Sequence, residues 1–155
     1  MKVIESLRPA VALLALGLPA VGLANACLLS PAELQTKMGR AFNAGQQSEA
    51  VDGSALCSYT EVANPKRSLR INVIESQAAP RFERTKRLLT MGNKSIDLAG
   101  VGDAAYYNGT TAAVLSGDRL VVISNVKPPP GSKPSHHSPE EMVALLKAAI
   151  ERLPK

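Results

Sequence analysis

Cys27 and Cys57 are the only cysteines in this 155-residue chain, and the first stands directly behind an apolar leader. The leader opens with Lys2 and Arg8, continues through an apolar stretch from Ala10 to Leu23, and closes on the small-residue triplet Ala24-Asn25-Ala26. That order is the pattern of a secretion signal and predicts removal of residues 1–26. The apolar stretch is shorter than the roughly 20 residues a membrane-spanning helix needs, and Pro19 and Gly22 interrupt it. Export would carry both thiols into an oxidising compartment, periplasmic or extracellular. A bond between them there closes a loop of about 30 residues and contributes on the order of 3 to 4 kcal/mol. The alternative is a lipid on Cys27 as the first mature residue, which leaves Cys57 as a lone thiol. Ala24, three residues before Cys27, suits the ordinary Ala-x-Ala peptidase and favours the bridge. Two cysteines so far apart, with no histidine at ligand spacing, do not make a zinc site, and there is no Cys-x-x-Cys redox pair.

What remains, residues 27–155, is enough for one domain with a single core. The whole chain carries a formal net charge of +5, and the mild basic excess that outlasts the leader suits anionic partners such as a membrane surface or a wall polymer. Two Phe, three Tyr and no Trp leave few stacking platforms, which argues against nucleic acid and against an aromatic sugar cleft.

Local signals give an order of elements. Ser30-Pro31-Ala32-Glu33 is a capped helix start, with Leu29 and Leu34 as a hydrophobic staple and Gly39 as the stop near Met38. Asn43 to Ser54 is polar and reads as a loop. Strands are expected over Ala55–Val62 and Ser68–Ser76, where Leu69, Ile71 and Val73 alternate with Arg70 and Asn72, joined through Asn64-Pro65-Lys66. Pro80 is expected to open a second helix running to Met91, with Phe82, Thr85, Leu88 and Leu89 on one face and Gly92 as its stop. Strands over Ala104–Tyr107, Thr111–Leu115 and Arg119–Val126 follow, with turns at Asn108-Gly109 and Ser116-Gly117-Asp118. Residues 127–139 hold five prolines and both histidines and form an extended connector. Ser138-Pro139-Glu140-Glu141 then repeats the capping logic before a helix whose Met142, Leu145, Leu146, Ala149, Ile150 and Leu153 recur at helical spacing. The expectation is an α+β domain, an antiparallel sheet of about five strands with three helices in the order α-β-β-α-β-β-β-α.

Four pieces of the chain, Cys27-Leu-Leu-Ser-Pro-Ala-Glu-Leu34, Gly53-Ser-Ala-Leu-Cys57-Ser-Tyr59, Gly100-Val-Gly-Asp-Ala-Ala-Tyr106-Tyr107 and Ser116-Gly-Asp-Arg-Leu-Val-Val-Ile123, together resemble a group of small secreted bacterial proteins and lipoproteins of unknown function. The resemblance implies a small Mog1/PsbP-like α+β domain with Cys27 and Cys57 paired, and it brings no catalytic residues. The Ala24-Asn25-Ala26 ending departs from the lipoprotein members.

Few residues stand out as chemistry. His136 and His137 form the one histidine pair and could hold copper or zinc, although loop histidines are ordinarily solvated. Arg70, Arg81, Arg84 and Arg87, with Lys66, Arg67 and Lys86 nearby, could make an anion patch, and a solvated helix face is the plainer account. Asp103 with Tyr106 and Tyr107 could orient a small molecule, as an enzyme with a dispersed pocket would need. The plainer account there is a Gly-Asp turn feeding a strand whose tyrosines point to opposite faces. No triad and no phosphate loop can be assembled. The expectation is a non-enzymatic exported binding or envelope-accessory domain that needs no cofactor. Its partner would be an envelope protein or an anionic surface component, with no transmembrane anchor after processing.

Overall fold

The computed structural model describes residues 24–50, 52–91, 95–125 and 138–154. Their element order is α1 (Pro31–Met38), β1 (Gln46–Glu49), β2 (Ala55–Thr60), β3 (Ser68–Ile74), α2 (Ala78–Thr90), β4 (Ile96–Asp97), β5 (Ala104–Tyr107), β6 (Thr111–Ser116), β7 (Arg119–Asn125) and α3 (Pro139–Glu151). All seven strands join one antiparallel sheet in the order β1-β2-β3-β7-β6-β5-β4. The class is α+β with three helices, and seven strands replace the expected five. The two additions are the sheet's edges. β1 lies inside the stretch read as a loop because its Gln-Gln-Ser-Glu side chains are all exposed, so it pairs through its backbone and shows no alternation. β4 is two residues long and shows no alternation either.

Alternation along the central strands divides the molecule into two cores. Cys57, Tyr59, Leu69, Ile71, Val73, Ala112, Val114, Val121, Ile123 and Tyr107 bury on one face, under α1 and α3. Met142, Leu145, Leu146 and Ala149 of α3 are fully buried there, with Ile150 and Leu153 partly so. Two ties fix α1 on this face. The Cys27–Cys57 disulfide joins the segment before α1 to the middle of β2, and the buried Tyr59 hydroxyl donates to the Leu29 carbonyl at 2.7 Å. A sulfur in that bridge is not available to carry a thioether lipid. Gly45 is required where the chain passes over this staple, since a Cβ there would stand 2.5 Å from Cys57 Sγ.

The opposite face carries the smaller core of Ile74, Ala78, Phe82, Tyr106, Ala113 and Leu120. Here α2 lies over β6 and β7. Its first residue is Ala78 rather than Pro80, after Gln77 in a left-handed conformation. Pro80 is the third helical residue, where its missing N–H is one of the donors a helix leaves unmatched in any case. Leu88 is 61% exposed, contrary to the expected apolar face: it follows Phe82 by six residues, which turns it about 120° from the buried side. Gly92, residues 126–137 and the histidine pair lie outside the described residues.

Candidate functional site

The covering of the two faces is unequal. On the α2 side, successive cross-strand rows read Ile74-Leu120-Leu115-Ala104, then Leu56-Asn72-Val122-Ala113-Tyr106, then Ser58-Arg70-Ser124-Thr111. The first rows hold the apolar residues that α2 covers. The third row is polar, as are its neighbours Thr60 and Ser68, and every member is half-buried or exposed. Arg70 is the only charge in that row. It stands four residues before Ile74 along β3, about 13 Å away at strand rise.

Beside Ile74, an open cleft of about 390 Å³ runs along the flank of α2, lined by Asp52, Ile74, Gln77, Pro80, Arg81, Arg84 and Thr85. Arg81, Arg84 and Thr85 reach it because residues three and four apart share a helix flank. The turn before β2 brings Asp52 to the rim, where its carboxylate accepts from the Ser54 hydroxyl at 2.6 Å and from Arg81. The Ser54 hydroxyl and backbone N–H, and then Arg81, hold the Asp52 carboxyl below the usual carboxylate range. Arg81 is therefore neutralised locally. Arg84 and Arg70 form no ion pair or hydrogen bond with a described residue.

The expected anion patch is thus brought together in part. Arg81 and Arg84 line the cleft beside α2, Arg70 stands on the same side of the sheet farther along β3, and Arg87 is exposed and does not line the cleft. Lys86 is held by Asp97 of β4 at 2.7 Å.

Asp103 and the tyrosines are not gathered into a pocket. The Asp103 carboxylate accepts from the Gly117 N–H at 2.7 Å, which ties the turn before β5 to the β6–β7 turn. Tyr107 faces the main core and donates to the Gly109 carbonyl. Tyr106 faces α2, its ring 5.4 Å from that of Phe82. Its fully buried hydroxyl has no hydrogen-bond partner among the described residues, and burial pushes it up to about 12. Sequence reasoning missed the division of labour between Arg81 and Arg84. The signal was Asp52-Gly53-Ser54, an Asx turn whose carboxylate stays available to a cation from elsewhere in the fold.

Among the described residues no three His, Cys, Asp or Glu side chains gather as a metal site, and no helix is long and apolar enough to cross a membrane. No family model, curated protein or solved structure matches the chain.

Proposed function

We propose that this chain is an exported, non-enzymatic binding domain that holds an anionic component of the cell envelope on the α2 side of its sheet. The observation that carries the reading is that Arg70, on the α2 side of the sheet, and Arg84, on α2 at the cleft, form no ion pair with a described residue. A row of Ser58, Ser124 and Thr111 hydroxyls adds neutral donors beside Arg70. Guanidinium groups suit phosphate or carboxylate groups, and an open cleft suits a large ligand better than a small one. Export is supported by the leader pattern and by a Cys27–Cys57 bridge that fits an oxidising compartment. Placement among the Mog1/PsbP-like secreted domains is part of the same proposal. An antiparallel sheet with helices on both faces is compatible with it.

The test is co-sedimentation of the exported protein with washed envelope fragments. The Arg70→Ala/Arg84→Ala variant should bind at least about tenfold more weakly, a loss of about 1.4 kcal/mol. Wild-type binding should also weaken as salt screens the charges. Equal binding by the variant, or binding indifferent to salt, would contradict the reading. Both arginines lie outside the two cores, so the variant should fold.

A further inference from the structure

Ala26 has no exposed surface and belongs to the main core, as do Leu28 and Leu29 just after it. Ala24 is partly buried against the same core, while Asn25 between them is exposed. Polar contacts hold the segment as well. The Asn25 side-chain carbonyl accepts from the Cys27 N–H at 3.0 Å, and the Ala24 carbonyl accepts from the side chain of Gln47 on β1 at 3.2 Å. The residues that the sequence pattern assigns to the end of the leader are thus built into the fold. We propose that the leader is cut ahead of Asn25, so that Ala26 stays in the mature chain and Cys27 is an internal residue. The inference rests on the export part of the reading above, is independent of the anionic ligand, and moves the expected cut away from the Ala26–Cys27 bond.

A residue discarded during translocation needs no place in the finished core, and Ala26 has one. Its loss would leave a gap where its buried methyl sits. It would also take away the partners of the Cys27 N–H and of Gln47, and would set a terminal ammonium one residue before the buried Leu28. The sequence offers two other endings with small residues at the first and third places, Ala20-Val21-Gly22 and Gly22-Leu23-Ala24. A cut after either hydrolyses one peptide bond: water gives its hydroxyl to the leader's new carboxyl group and a proton to the mature chain's new amine. Both cuts leave Ala26 in place, and the first also keeps the Ala24 carbonyl for Gln47.

The experiment compares the wild type with Ala26→Leu, each expressed with its full leader, by intact mass after export and by thermal unfolding. The exported wild type should begin at Leu23 or Asn25, with both sulfurs oxidised. Ala26→Leu should lose its leader at the same bond, because the leucine does not stand next to the cut. The processed variant should carry the leucine and melt several degrees lower, since a fully buried alanine site has no room for it. A wild-type chain that begins at Cys27 would overturn the inference and leave export standing, as would an Ala26→Leu precursor that accumulates uncut beside a normally processed wild type. A wild type that keeps its whole leader would overturn the inference and the export reading together. Should the leucine variant fail to fold, the wild-type mass alone decides.

Discussion

Two tyrosines, each buried in the sheet, have opposite standing. The Tyr59 hydroxyl donates to Leu29, so Tyr59→Phe strands a buried carbonyl and should cost about 1 to 2 kcal/mol in urea unfolding. The Tyr106 hydroxyl has no partner among the described residues, so Tyr106→Phe should be neutral or stabilising. The same substitution should change the alkaline limb. Burial raises the Tyr106 hydroxyl from 10.0 to about 12. A group raised in the folded state contributes stability that is whole below the unfolded value and is lost as pH climbs through the folded one. Stability should therefore fall across that window in the wild type and fall less in Tyr106→Phe. Alternation in Ala104–Tyr107 is enough to send the two adjacent tyrosines to opposite faces, and that much was legible in the sequence. Which hydroxyl would be satisfied was not, because the Leu29 carbonyl is 30 residues from Tyr59 in the chain.

At the scale of elements, the capped helices were the most legible and the edge strands the least. Ser30 Oγ accepts from the Glu33 N–H while the Glu33 carboxylate accepts from the Ser30 N–H, and Ser138 with Glu141 repeats the arrangement. Such boxes are local, so four residues suffice to announce them. β1 could not be read that way, since an edge strand with four exposed polar side chains is defined by its partner strand. Ser30→Ala should cost about 1 kcal/mol, measured by urea unfolding. Glu33 is held below its ordinary value of 4.5 chiefly by its hydrogen bonds with Ser30, with Arg152 and Lys37 adding charge. Because the folded value is the lowered one, this stabilisation is complete above the unfolded value of 4.5 and drains away as pH falls through the folded value. Glu33→Gln should flatten that acid limb. On α2, Phe82→Ala should cost about 3 kcal/mol or more, since Phe82 anchors the smaller core. Leu88→Ala should change thermal stability little, because its side chain is mostly in water.

As a whole the molecule is a sheet with one face closed and the other closed only in part. The closed face is stapled: the bridge spans 30 residues, and its reduction should lower unfolding free energy by about 3 to 4 kcal/mol, read from urea curves with and without reductant. On the other face Arg70 in its polar row and Arg84 at the cleft have no ion-pair partner among the described residues, and the whole functional account depends on that asymmetry. The most direct test is amide chemical-shift mapping of the labelled protein titrated with polyphosphate. The account predicts shifts confined to α2, the turn around Asp52 and the Ser58, Arg70 and Ser124 row, saturating together. Shifts centred on α1 and α3, with the α2 side unmoved, would contradict it.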